Sequence, residues 1–137
     1  MIVADTGAVL ALLDADDRHH AALVDLFDRT GDRWVLPWAI LPEVDYLVHR
    51  HGGAEAADAF VADLAAGAWS VEWGDHADLP AARALLARYA DLRFGLVDAV
   101  VMAVAERLQA EAIVTRDVRH FGAVELHHDP RLLPREG

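Results

Sequence analysis

The sequence predicts an α/β protein, with a mostly parallel sheet of roughly five strands and helices on both faces. Three observations predict it. Short apolar runs of strand character recur at wide spacing. Stretches of helical period lie between them. Four acids, Asp5, Glu43, Asp98 and Asp117, stand where strands end or helices begin. Strands that alternate with helices build a parallel sheet, and right-handed crossovers fix most of its topology.

The first strand is Ile2-Val3-Ala4, closed by Asp5-Thr6-Gly7 and followed by a short helix from Ala8 to Leu13. Asp14-Ala15-Asp16-Asp17 reads most simply as a solvated loop, with partner binding as the alternative. The helix from His19 to Arg29 places Leu23, Leu26 and Phe27 on one face. Trp34-Val35-Leu36 is the second strand. Helices from Ala39 to Arg50 and from Ala54 to Ala66 are separated by His51-Gly52-Gly53. Trp69-Ser70-Val71 is the third strand, and a helix from Asp75 to Tyr89 follows.

The helix from Asp98 to Gln109 is the clearest. Val97, Val100, Val101, Val104 and Leu108 recur at helical spacing with alanines between them, so it is expected to be buried on more than one side. Asp98 is expected to open or cap it, near the positive end of its dipole. Ile113-Val114-Thr115 and Val124-Glu125-Leu126 are the last two strands, and the residues from Asp129 on read as a polar, proline-containing tail. Without repeats, low-complexity segments or linkers, the chain reads as one domain over 1–137.

A chain of 137 residues, 55% apolar, can bury a real core. No apolar run reaches the ~18 residues of a membrane span. The first residues carry no basic region of the signal-peptide type, and there is no cysteine for disulfides or thiolate metal sites. A cytoplasmic protein is therefore expected. A net charge of −11 argues against gripping duplex DNA by bulk charge. All the Lys+Arg residues are arginine, which high genomic GC explains more simply than phosphate recognition does.

In an open parallel sheet, ligands bind at the carboxyl ends of the strands. Asp5 and Asp117 belong at that edge, and helix starts can deliver Asp98 and Glu43 to it. Each like-charge pair at ~4 Å costs on the order of 4 kcal/mol at an effective dielectric near ~20. A divalent cation relieves that cost, and oxygen-only ligands point to Mg²⁺, with Mn²⁺ as a substitute. Each acid alone has a structural explanation as a cap or loop residue; together they fit a metal site better. Asp5-Thr6-Gly7 also matches the aspartic protease signature, but the helix expected after Gly7 is the wrong setting. The adjacent histidines His19-His20 and His127-His128 lack helical ligand spacing and are expected to be solvated. Trp34, Trp38, Trp69 and Trp73 could stack bases, although packing is the commoner role of such residues.

The ordered pieces resemble a known family. They are Ile2-Val3-Ala4-Asp5-Thr6-Gly7, Leu41-Pro42-Glu43-Val44, Gly95-Leu96-Val97-Asp98-Ala99, Ala105-Glu106-Arg107-Leu108, Ile113-Val114-Thr115-Arg116-Asp117 and Phe121-Gly122-Ala123-Val124. In this order the chain resembles a PIN domain, specifically the VapC-type toxin ribonucleases of bacterial toxin–antitoxin pairs. The resemblance implies a three-layer α/β/α sandwich and metal-dependent hydrolysis of RNA phosphodiesters. It places Asp5, Glu43, Asp98 and Asp117 on the acidic quartet, with Thr6 and Thr115 as supporting hydroxyls. It further implies a small antitoxin that blocks the site with a basic residue, and a homodimer or toxin–antitoxin hetero-oligomer.

The chemistry of phosphodiester hydrolysis fits these residues. Asp5 and Asp98 would be direct ligands, Asp117 a ligand or a holder of a bound water, and Glu43 a ligand to a second ion or the group that orients the attacking water. Thr6 and Thr115 would hydrogen-bond the carboxylates. Arg93, Arg116 and Arg119 are candidate phosphate contacts, with plain ion pairing as the alternative. Asp91 reads as a loop residue. The rival readings are a non-catalytic PIN-like module that binds RNA or protein, and an RNA-processing or DNA-directed nuclease of the same fold.

Overall fold

The structure is a computed structural model and describes residues 1–134. Among these, β1 (Ile2–Ala4), β2 (Trp34–Pro37), β3 (Val71–Glu72), β4 (Ala112–Val114) and β5 (Arg131–Leu133) form one wholly parallel sheet in the order β3-β2-β1-β4-β5. Seven helices connect them: α1 (Thr6–Leu13), α2 (His20–Thr30), α3 (Ile40–Gly52), α4 (Ala54–Ala65), α5 (Asp78–Arg88), α6 (Leu96–Arg107) and α7 (Val118–Ala123). The α/β class and parallel sheet are as the sequence predicts. No helix among the described residues is long and apolar enough to cross a membrane.

The central strands explain the register. β1 and β4 are buried along their whole length, so they read as continuous apolar runs and not as alternating patterns. Ile2 pairs with Trp34 on one side and Ala112 on the other. The chain steps outward from β1 to β2 to β3, then returns to β4 on the opposite side of β1. That reversal opens a crevice beyond the carboxyl ends of β1 and β4. The Asp5 amide donates to the Val114 carbonyl at 3.0 Å and holds the two strand ends together there.

Two groups of helices pack with the sheet. In one, α1 contacts α2 and α3, and α3 contacts α4. In the other, α5 lies on α6, which lies on β1 and β2. α6 is buried at every position from Ala99 to Ala105, as its all-round apolar pattern requires. Trp34 and Trp69 are packing residues. Phe27 meets Trp34 edge-on at 5.1 Å and Trp69 at 5.5 Å, and the Trp34 indole N–H donates to the Thr30 hydroxyl at 2.9 Å.

The C-terminal region corrects the sequence reading. Val124-Glu125-Leu126 is not a strand; the fifth strand lies inside the expected tail, at Arg131–Leu133. Pro130 and Pro134 flank it and hid it, since proline marks loops as readily as it marks an edge strand. The Thr115 amide donates to the Leu133 carbonyl at 2.8 Å, and the Arg131 amide to the Glu111 carbonyl at 3.0 Å. Residues 135–137 of that expected tail lie outside the described residues. The helix α7 was also not expected, because six residues are too few to show a period. The third and fourth strands are displaced by one or two residues from their expected bounds, which leaves Thr115 just beyond β4.

One charged cluster ties α6 to α5 and β3. Arg107 donates from Nε to Asp78 Oδ1 at 2.7 Å and from Nη2 to Glu72 Oε1 at 2.8 Å. The Asp78 side chain is 2% exposed, so it needs this partner. The two carboxylates hold the Arg107 guanidinium, through the Asp78 hydrogen bond above all, well above its ordinary pKa. Arg107→Ala should therefore cost about 3 kcal/mol, because it leaves a buried carboxylate unpaired. Adding Asp78→Asn should recover part of that loss. Urea denaturation of the single and double variants checks both expectations.

Candidate active site

Each of the four acids reaches the crevice by a different route. Asp5 follows β1 and caps α1, its Oδ1 accepting from the Ala8 amide at 2.8 Å. Glu43 is half-buried in the first turn of α3, which follows β2. Asp98 lies in the first turn of α6. Asp117 follows β4 and caps α7, its Oδ1 accepting from the His120 amide at 3.0 Å. Asp5, Glu43, Asp98 and Asp117 line one cleft of about 600 Å³ together with Thr6, Gly7 and Arg116.

Of its two expected roles, Asp98 opens the helix and does not cap it. Gly95 occupies the N-cap position of α6, and Asp98 is the third helical residue. Freed from capping, its carboxylate is available to the cleft. Asp5 and Asp117, by contrast, cap helices and line the cleft as well.

The electrostatics show how crowded the cleft is. Burial pushes the Asp5 carboxyl up to about 7, with a further push from Asp98; the Thr115 hydroxyl, the Ala8 amide and Arg116 act against it. Asp98 is also raised, first by burial and then by the charges of Asp117 and Glu43, with His120 opposing. Burial and like charge both penalise the ionised form, so without a counter-charge this site resists full ionisation.

The supporting residues divide. Thr115 is buried, and its hydroxyl accepts from the Asp117 amide at 2.8 Å, which fixes the turn between β4 and α7. Thr6 is buried too, and its hydroxyl has no hydrogen-bond partner among the described residues. Arg116 lines the cleft, but Arg93 and Arg119 do not. Asp91 lies exposed in a 3-10 turn, outside the cleft. In the run Asp14-Ala15-Asp16-Asp17, the first three residues are exposed as expected, whereas the Asp17 side chain is 13% exposed and pairs with Arg116. His20, expected to be solvated, is half-buried with Nδ1 at 2.9 Å from the Ala11 carbonyl.

His120 is the site residue that the sequence reading passed over. Its Nδ1 lies 2.8 Å from Asp117 Oδ2. The detectable signal was Asp117-Val118-Arg119-His120, a spacing that returns the histidine to the acid's side of a helix. Asp98, Asp117 and His120 each offer a ligand atom within 4.8 Å of the others. This donor set of oxygens with one imidazole nitrogen fits a divalent cation, and the orphaned Thr6 hydroxyl is a further polar atom waiting at the same cleft.

Comparison with known proteins agrees with this geometry. The PIN domain family matches residues 2–125. The chain is 35% identical over 123 residues to Ribonuclease VapC26 of Mycobacterium tuberculosis, covering 90% of this chain and 91% of the relative. The chain therefore belongs to the PIN-domain family. Its fold is similar to VapC20 of M. tuberculosis, a sarcin-ricin-loop-cleaving toxin, with a TM-score of 0.81 at 24% identity over 90% of this chain and 95% of that one. It is also similar to DNA-bound VapBC from Salmonella typhimurium, with a TM-score of 0.71 at 19% identity over 96% and 95%.

A pH dependence follows from Asp5. In the metal-free protein, folded Asp5 holds its proton up to about 7, whereas its ordinary value is 3.8. Between those values the folded state binds the extra proton. The stability this gives is complete below 3.8 and is lost as pH rises through about 7. Metal-free protein should thus lose stability on the order of a few kcal/mol across that window, and Asp5→Asn should remove most of the slope. Denaturation in chelator at a series of pH values measures it, and identical slopes in the two proteins would refute the assignment.

Proposed function

We propose that this chain is a divalent-metal-dependent endoribonuclease that acts in the cytoplasm as the toxin of a toxin–antitoxin pair. The observation that carries the reading is the convergence of Asp5, Glu43, Asp98 and Asp117 in one cleft with no equal number of cations. The likeness to a named VapC ribonuclease over nine-tenths of both chains supports RNA as the substrate. The solved VapBC relatives support a small antitoxin as the partner. Homodimers or toxin–antitoxin hetero-oligomers are the assemblies we expect.

Asp98, Asp117 and His120 would hold Mg²⁺ or Mn²⁺, with Asp5 adding negative charge in the same cleft. When bound, the ion supplies Lewis acidity toward the phosphoryl oxygen and eases ionisation of water. Glu43 makes no hydrogen bond or ion pair among the described residues, so its carboxylate can orient the attacking water and accept its proton. Thr115 keeps Asp117 in place through the backbone. His120 turns the second Asp117 oxygen toward a fixed direction. A non-catalytic binding module would not need this full acidic set, whose mutual repulsion burdens the fold.

Two outcomes test the proposal. Mg²⁺ or Mn²⁺ should raise the melting temperature, since ligation of the native state alone adds about 2.7 kcal/mol at a hundredfold excess over Kd. Asp98→Asn should abolish most of that rise while itself raising the metal-free melting temperature. In cleavage assays, EDTA should stop the reaction and Mn²⁺ restore it. Glu43→Gln should cut the rate by about a hundredfold or more, and losses in double variants should not add. If folded protein binds RNA equally well with all four acids neutralised, and wild type cuts no RNA with Mn²⁺, the chain is a binding module.

A further inference from the structure

The outward side of α3 carries residues that neither the core nor the cleft explains. Ile40, Val44 and Val48 are its buried residues and fix which side faces the sheet. Glu43, at the edge of that side, lines the cleft. Tyr46 is 62% exposed and is the one exposed large hydrophobic of α3 among the described residues. Arg50 is exposed in the basic last turn, between His49 and His51.

Helix geometry puts Glu43, Tyr46 and Arg50 on one stripe. At about 3.6 residues per turn, Arg50 returns to within ~20° of Glu43, and Tyr46 lies ~60° from Glu43, further from the core. Tyr46 is one turn along from Glu43, and Arg50 one turn beyond that. Side chains on a helix lean toward its N-terminus. The Tyr46 ring therefore covers the turn that holds Glu43, and Arg50 reaches back toward Tyr46. The Tyr46 phenol and the Arg50 guanidinium make no hydrogen bond or ion pair among the described residues, so both are open to a ligand.

Single-stranded RNA alternates the two groups that this stripe can take. A flat ring stacks an unpaired base whatever its identity, and a guanidinium pairs with phosphate oxygens. The stripe is continuous with the cleft through Glu43, where the scissile phosphate would lie. A protein partner would want a wider apolar patch than one ring among polar neighbours. Trp73 is more exposed, at 76%, but stands elsewhere: its neighbour Glu72 bonds Arg107, roughly 13 Å along α6 from Asp98.

We propose that the outward stripe of α3 is the track along which single-stranded RNA leaves the cleft, with Tyr46 stacking an unpaired base beside the scissile phosphate and Arg50 holding the backbone further on. The track rests on the ribonuclease reading and adds to it the path of the substrate.

The test uses the full chain and a labelled single-stranded RNA of mixed sequence. Binding is measured in the Asp98→Asn background with EDTA, so that nothing is cut. Tyr46→Ala should weaken binding about tenfold and leave the slope of log affinity against log salt unchanged. Tyr46→Trp should bind as well as the parent, because stacking needs the ring and not the hydroxyl. Arg50→Gln should weaken binding and reduce the slope by about 0.7, the value for one phosphate on a single strand. An abasic nucleotide moved along the RNA should weaken binding at one position, and that position should fall silent in Tyr46→Ala. In the active enzyme both changes should raise KM with a smaller change in kcat. Melting temperatures should hold, since both side chains are exposed. Arg83→Gln, exposed on α5, should change nothing.

If Tyr46→Ala alters the oligomeric state in light scattering while RNA affinity holds, the ring is a protein contact and the proposal falls. It falls equally if no abasic position distinguishes Tyr46 from alanine, or if Arg83→Gln weakens binding as much as Arg50→Gln does. If wild type cuts no RNA with Mn²⁺ while Tyr46 and Arg50 still govern binding, the ribonuclease reading fails and the track stands.

Discussion

The structure depends on placing a carboxylate at the end of its most buried strand. Asp5 follows β1, the middle strand of the sheet, and is 4% exposed. The four acids gather at the starts of four helices, α1, α3, α6 and α7. Each helix start offers a partial positive charge worth roughly 0.3–1 kcal/mol to a nearby anion. Each close pair of acids loses on the order of 4 kcal/mol. The dipoles soften the repulsion without cancelling it; burial first, with like charge added to it, raises the protonation of Asp5 and Asp98. The fold holds a deficit of positive charge, which the proposed cation would relieve.

Structural and chemical roles are fused in these residues. Asp5 and Asp117 each commit one oxygen to a helix amide, while the Thr115 hydroxyl bonds Asp5 and His120 Nδ1 meets the second Asp117 oxygen. The cap fixes the carboxylate's direction, and the need to fill the cap keeps an acid or its isostere at that position. Asp98 differs, since Gly95 holds the cap position in its helix. Its location comes from the burial of α6, whose apolar face locks against β1 and β2. A change deep in α6 can therefore shift the cleft without touching it.

The acids were legible in the sequence because strand ends and helix starts are marked locally. The run Ile2-Val3-Ala4 and the valine pattern of α6 each announce their element, and the acids sit at the boundaries. What escaped was set by contacts distant in sequence or by elements too short to show a period. Arg116 and Asp17 are 99 residues apart, so neither residue's neighbours reveal the pair. His120 belongs to a six-residue helix. β5 is three residues between prolines, and only its pairing with β4 makes it a strand. The residues that support the acids are thus harder to read than the acids themselves.

The position of β5 sets the order in which the cleft is completed. Leu133 receives the Thr115 amide, and Thr115 in turn holds the amide of Asp117. The final acid of the cluster is braced by the last strand of the described chain. During synthesis, the segment carrying Asp5 leaves the ribosome before Arg131–Leu133 does. The acid after β4 is therefore braced only once a strand sixteen residues further along the chain has joined the sheet.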